Sequence, residues 1–332
     1  MKEIILSRTD RIGDVVLTTS TFAPLRQRFP EAKIRILVEP SLVPLLSESD
    51  GIQPVACDPG KGAKGIHLQR VKQWREYFRK TPADCILFLH PDNDLQIAAF
   101  LAGIPIRIGY RKQIGRFSLT DTIPYRRHLG EKHEAACNFD LLERIGCPLP
   151  SNLQPVLSVS SEQPPPSPYA IFHPAAFGNK PRWPAKHYAN LAKSISQEFG
   201  WKIILIGSES SPKTFEAIRA AGVAAENLED RGGKDSLLKT AELLKKAEIV
   251  ISRDSGPAHL AAAMGAPLVC LMGQCDPIHS PTRWAPLGLQ VRTLVSDLPP
   301  LKGESRDNRW ERCFEAIQPD EVLRNIRGMR YL

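Results

Sequence analysis

The feature that most constrains this chain is an alternation. Short apolar runs, "EIIL" (3–6), "KIRILV" (33–38) and "DCILFL" (84–89), are separated by stretches of helical spacing such as "VVLTTSTFAPLRQRFP". The pattern recurs with "YAIFHP" (169–174), "KIILIGS" (202–208), "EIVISRD" (248–254) and "PLVCLMG" (267–273). Between them lies "AKHYANLAKSISQEFG", with Gly200 as its expected C-cap. Strands that are apolar throughout must be buried on both faces, the condition of a parallel sheet covered by helices. The chain is therefore expected to be α/β, with two doubly wound parallel-sheet domains. In such sheets ligands bind where polar loops leave the carboxyl ends of the strands, so those loops are where chemistry is to be sought.

At 332 residues the chain exceeds the roughly 250–300 at which a single core stops growing. The proline-rich segment "SVSSEQPPPSPYAIFHP" (158–174) sits near mid-chain and reads as a linker, which gives domains 1–163 and 164–332. No apolar run reaches the ~18 residues of a membrane span, and the opening "MKEIILSRTD" lacks the apolar core of a secretory signal. The seven cysteines include no C-x-x-C pair and read as incidental thiols of a reducing cytoplasm. The net charge of +8 favours anionic partners. Residues 1–163 carry 22 Lys+Arg against 18 Asp+Glu, and the remainder carries the same balance, so neither domain is a basic nucleic-acid module.

After "EIVIS" comes Arg253-Asp254-Ser255-Gly256-Pro257-Ala258-His259 and then a helix-forming alanine run. Asp254 or Ser255 suits an N-cap, Gly256 permits close backbone approach, and the helix N-terminus would present N–H groups to an anion. His259 falls one turn inside, where it either points back to that anion or is a core residue. Lys180 and Arg182, in the loop after "YAIFHP", suit phosphate oxygens, and Gly207 and Ser208 leave the strand "KIILIGS" at the same sheet edge. Together these loops point to a nucleotide diphosphate. No G-x-G-x-x-G follows the first strand of either half and no P-loop motif occurs, which argues against a dinucleotide cofactor and against P-loop hydrolysis.

In the first half, "SRTDRIGDVVL" places Arg11, Gly13 and Asp14 between the first strand and the first helix. Asp14 is either a general base for an incoming hydroxyl or a helix-start carboxylate favoured by the dipole. The segment 61–82 is basic: Lys61, Lys64, Arg70, Lys72, Arg75, Arg79 and Lys80 face one acid, Glu76. Its stripe Leu68, Val71, Trp74 and Phe78 suits either an anionic lipid surface or packing on its own domain. The D-x-D in "PDND" (91–94) is read as a loop.

The stretches "RIGDVVLTTSTFAPLRQRFPEAKI", "FHPAAFGNKPRWPAKHYANLA", "GGKDSLLKTAELLKKAEIVISRDSGPAHLAAAMGAPLVCLMG" and "RCFEAIQPDEVLRNI" resemble glycosyltransferase family 9, the ADP-heptose:lipopolysaccharide heptosyltransferases. The resemblance implies a glycosyltransferase-B fold, with an active site in the cleft between two Rossmann-like domains and the final helix able to pack back on the first. It implies metal-independent transfer with no cofactor beyond an ADP-sugar donor. Asp14 matches the family's base, and Asp254, Ser255, Gly256 and His259 match its donor diphosphate loop. Pro181 stands where the family has a lysine, so either Lys180 or Arg182 substitutes or that contact is absent. Arg11, Gly13, Lys61, Lys64, Arg70 and Arg75 would hold an anionic lipid-linked saccharide acceptor. The enzyme would then work in the cytoplasm, at the periphery of the inner membrane, with no nucleic-acid partner. A member with another donor or acceptor, a sugar-nucleotide epimerase and a non-catalytic nucleotide-sugar-binding protein would share the fold.

Overall fold

The computed structural model describes residues 1–49, 51–58, 65–112, 114–160, 167–174, 182–273 and 276–329. The chain divides into two compact units, Met1–Ser158 and Val159–Leu332. The first holds a six-stranded sheet of β1 (Glu3–Ser7), β2 (Lys33–Val38), β3 (Ile52–Ala56), β4 (Cys85–Phe88), β5 (Ile106–Tyr110) and β6 (Asp121–Ile123). The second holds β7 (Tyr169–His173), β8 (Lys202–Leu205), β9 (Leu228–Asp230), β10 (Ile249–Arg253), β11 (Leu268–Gly273) and β12 (Val291–Ser296). All pairings are parallel, and the orders are β3-β2-β1-β4-β5-β6 and β12-β11-β10-β7-β8-β9. Both are doubly wound, and the direction of winding reverses between β1 and β4 in one unit and between β7 and β10 in the other. Those two reversals open the crevices in which such sheets bind ligands.

The apolar runs singled out in the sequence became the central strands, because only those are buried on both faces. β1, β4, β7 and β10 are buried along nearly their whole length. The peripheral strands escaped that criterion. β3 carries Pro54, tolerated because β3 lies at the sheet edge, and β12, the edge strand of the second sheet, has no fully buried position.

The helices that matter for the site are α1 (Ile12–Thr18), α2 (Leu68–Lys80), α3 (Asn93–Ala102) and α4 (Glu134–Leu142) in the first unit and α5 (Ala185–Phe199) in the second. The helix α5 ends as expected at Gly200, whose φ of +69° is the left-handed conformation that glycine adopts without a Cβ penalty. The stripe on α2 is settled in favour of packing: Val71, Trp74 and Phe78 are buried against Leu95, Ala98 and Ala99 of α3, while Leu68 stays exposed. Further along, the second unit also contains α6 (Gly256–Ala263), α7 (Arg306–Ala316) and α8 (Pro319–Met329). The final helix α8, expected to be able to pack on the first domain, buries Val322, Leu323 and Ile326 in the second unit's own core beside Leu191 and Ile195. Among the described residues no helix is long and apolar enough to cross a membrane.

Candidate functional site

In the first unit, β1 delivers Ser7 beside Phe88 of β4, and the chain then crosses the crevice as Arg8-Thr9-Asp10-Arg11 before α1 begins. Arg8 is 1% exposed and works as a hub. Its Nη2 donates to Asp14 Oδ1 at 2.5 Å and to Glu134 Oε1 at 3.1 Å, and its Nη1 donates to Asn138 Oδ1 at 3.1 Å and to the Leu89 carbonyl at 3.2 Å. Its Nε lies 2.8 Å from Asp10 Oδ1, a close ion pair without the alignment of a hydrogen bond. A second buried guanidinium, Arg127, donates to Glu134 Oε1, to Asn138 Oδ1 at 3.1 Å and to the Tyr110 hydroxyl at 2.7 Å. His90, the second residue past β4, approaches Asp10 Oδ2 at 3.2 Å through Nδ1.

Two guanidinium groups thus face three carboxyl groups out of bulk water, and full ionisation leaves one negative charge uncompensated. The burden falls unevenly. Burial would raise Asp10, but Arg8 and the hydrogen bond from His90 outweigh it and hold Asp10 at about 2. Burial raises Asp14 too, the negative Asp10 adds to it, and Arg8 only partly offsets them, so Asp14 stands at about 6. Burial opposes the charge on Arg8, yet its three carboxylate neighbours more than restore it. Asp14 is thus ionised at neutral pH, basic enough to take a proton, and only 13% exposed. Its Oδ1 is held by Arg8, which leaves Oδ2 as the oxygen available to a substrate hydroxyl.

Of the neighbours expected here, Gly13 is buried in the first turn of α1, whereas Arg11 occupies the N-cap position and is exposed, outside the charged cluster. The sequence reading missed Arg8, Asp10, His90, Arg127, Glu134 and Asn138. A signal existed for two of them: Glu134 and Asn138 are one helical turn apart on the largely buried α4, a spacing that aims both at one spot.

The basic segment behaves differently from a row of open cations. Arg70 grips Asp92 through two bonds of 2.8 Å and reaches Asp94 at 3.2 Å. Asp94 also accepts from the backbone and pairs with the ring of His67 at 2.8 and 2.9 Å, and Asp92 caps α3 by accepting from Leu95 N–H. The D-x-D expected to be a loop is therefore the joint between α2 and α3. Arg75 is half-buried, with its Nε unpartnered. Lys61 and Lys64 lie outside the described residues.

The second unit centres its crevice on a histidine. His173 ends β7 in register with Ser252 of β10, and its Nδ1 lies 3.2 Å from both Ser252 Oγ and Ser255 Oγ, which are 3.0 Å apart. Burial, reinforced by the cation of Arg253, lowers His173 to about 4, so the ring is neutral. Ser255 takes the N-cap position of α6, but its side chain is turned to His173 and makes no cap hydrogen bond; Pro257 has no N–H, and Ala258 N–H donates to the Ser255 carbonyl at 3.1 Å. His259 is buried one turn in; its Nε2 lies 3.3 Å from Asp254 Oδ1 and its Nδ1 is buried without a partner.

Gly207 and Ser208 come just after β8, the strand beside β7, so the loops after β10, β7 and β8 leave three successive strands as expected. The Gly207 carbonyl accepts from Gly233 N–H at 2.9 Å, and a Cβ at Gly232 would lie 2.1 Å from the Glu209 carbonyl oxygen, so this loop is clamped to the 231–235 turn. Arg182 is exposed ahead of α5 and close enough to Arg253 to depress it further, whereas Lys180 lies outside the described residues. Among the described residues no three His, Cys, Asp or Glu side chains are grouped so as to hold a metal ion.

Known proteins share this architecture. The sequence model of the family described as glycosyltransferase family 9 (heptosyltransferase) matches residues 75–313. Lipopolysaccharide heptosyltransferase 2 of Escherichia coli K12 is 27% identical over 96% of this chain and 95% of its own length. The solved ADP-heptose lps heptosyltransferase II of E. coli superposes with a TM-score of 0.76 at 25% identity, covering 99% of this chain and 98% of that one. A family 9 glycosyltransferase from Veillonella parvula superposes equally well, 0.76 over 99% and 97% of the two chains, at 20% identity. The fold class is that of the glycosyltransferase-B heptosyltransferases, built on two Rossmann-like units.

Proposed function

The chain belongs to glycosyltransferase family 9, and on that premise we propose that it transfers a heptose from ADP-heptose to the inner core of lipopolysaccharide. In this reading Asp14 takes the proton of an acceptor hydroxyl as the hydroxyl oxygen bonds to the anomeric carbon. The bond from that carbon to the diphosphate breaks, ADP leaves with its electron pair, and the direct displacement inverts the anomeric configuration. Lys180 and Arg182 take the charge on the departing diphosphate, together with the α6 N-terminus at Ser255 and Gly256. Asp254 and His259 hold the far side of that turn, and the Gly207–Ser208 loop lines the donor.

The acceptor, an anionic lipid-linked saccharide, is held by Arg11 and Gly13 and by the basic segment with Lys61, Lys64 and Arg75. Arg70 serves as the anchor of that segment through Asp92 and Asp94. The enzyme works on the cytoplasmic side of the inner membrane, in peripheral contact with it.

The observation that supports this reading most is the Asp14 carboxyl, buried beside Arg8 and raised to about 6 at a sheet's switch point. The isosteric Asp14→Asn removes the base and is expected to lower kcat by about 10²–10⁴-fold, with ADP affinity in calorimetry unchanged. In the unaltered enzyme kcat/KM should rise with pH through about 6 and then level off. Ordinary turnover in Asp14→Asn removes the assignment.

A further inference from the structure

Residues 107–126 carry Arg107, Arg111, Lys112, Arg116 and Arg126 against a single acid, Asp121. This second basic stretch of the first unit lies beside large apolar side chains that nothing in the unit covers. Phe100 and Leu101, at the end of α3, are 52% and 45% exposed, and Ile114 and Phe117, on the short turn Ile114–Ser118, are 61% and 78% exposed.

The two pieces form one face. The turn is fixed to the start of α3 by Gly115 N–H donating to Asn93 Oδ1 at 2.9 Å. Arg107 spans them, with its guanidinium carbon 5.4 Å from the Phe100 ring centre and its Nε donating to the Ser118 carbonyl at 2.5 Å. Arg116 lies 4.8 Å from the centre of the Phe117 ring, and the ammonium of Lys112 stands 3.8 Å over Tyr125.

We propose that this face docks on an anionic lipid bilayer, with Phe100, Leu101, Ile114 and Phe117 entering the interfacial layer and Arg111, Lys112 and Arg116 meeting headgroup phosphates. Scattered exposed apolar residues are ordinary; exposed aromatic rings that each have a cation over them match a surface that is apolar below and anionic above. A second copy of the chain is a poor occupant, because pairing this face with itself sets like charges against one another. The docking role expected of the 61–82 helix passes to this face, since Val71, Trp74 and Phe78 are buried within the unit. The inference rests on the reading that the acceptor is lipid-linked and the enzyme works at a membrane.

The test is sedimentation of the full chain with vesicles of phosphatidylcholine alone and of equal parts phosphatidylcholine and phosphatidylglycerol. The unaltered protein should bind only the anionic vesicles. Phe100→Ser with Phe117→Ser, and separately Lys112→Glu with Arg116→Glu, should each lower that binding by about tenfold or more, with thermal melting and ADP affinity unchanged. If the unaltered protein binds and both variants bind equally well, this face is overturned and the membrane reading stands. If the unaltered protein binds no anionic vesicle, both fall. A concentration-dependent dimer that Phe100→Ser with Phe117→Ser abolishes, with no vesicle binding, overturns the proposal in favour of pairing between copies.

Discussion

Two sheets of the same doubly wound kind carry crevices filled in opposite ways. Between β1 and β4 the first unit buries ions: Arg8 and Arg127 interlocked with Asp10, Asp14 and Glu134. Between β7 and β10 the second unit places the neutral ring of His173 and two hydroxyls, and turns Ser255 away from the helix it would otherwise cap. In the proposed reading the difference fits a base in the first crevice and a diphosphate in the second. A base needs a carboxylate whose proton affinity is set by fixed charges nearby, and only a buried network supplies these without solvent screening. In that reading a diphosphate brings its own charge, and the helix start with the nearby cation of Arg182 would meet it.

The largest effect should come from breaking the network at its centre. Arg8→Met leaves three carboxyl groups to share Arg127 and is expected to cost about 3–5 kcal/mol at neutral pH, measured by denaturant unfolding. Those carboxyls would be raised in the folded variant, so the missing stability should return as pH falls toward 5 and they protonate. The corresponding cut in the second unit, Ser252→Ala, removes one neutral partner and should cost only about 1 kcal/mol. Equal losses would mean that the two crevices do not differ as described.

Next in size is the acid sensitivity of His173. Its folded value of about 4 lies below the ordinary 6.5, so the unfolded chain takes up the proton first. The stability this ring contributes is complete above 6.5 and drains away as pH falls toward 4, a loss of about 3 kcal/mol over that window. Melting curves of His173→Gln should be flatter over the same range than those of the unaltered protein; identical pH dependence would show the ring to be charged or exposed.

The smallest effect is the sharpest probe of the first crevice. Asp10→Asn removes the negative charge that helps lift Asp14, so the acidic limb of kcat/KM should move down from about 6 by about one unit while the fold survives. A purely structural Asp10 would lower activity at every pH and leave the limb in place.

Much of this is legible in the chain. The central strands, the loops at their carboxyl ends, Asp14 in the first turn of α1 and Ser255 at the start of α6 all arise from local pattern. The peripheral strands do not, because Leu228–Asp230 is three residues long and Ile52–Ala56 carries a proline, so neither has a run to recognise. Within the site the miss is selective: local pattern singles out Arg11, although only Arg8 is buried, because a sequence window cannot say which of two nearby arginines points inward.

By itself, then, the sequence determined the architecture and the places where chemistry could stand, since hydrophobic period and helix-start residues act over a few positions. The tertiary structure decided which charges leave water. Glu134 meets Arg8 across more than a hundred residues of chain, Trp74 turns inward while Phe117 stays out, and Arg70 spends its charge on Asp92. Desolvation depends on what is packed around a group from distant parts of the chain, and no local pattern carries that information.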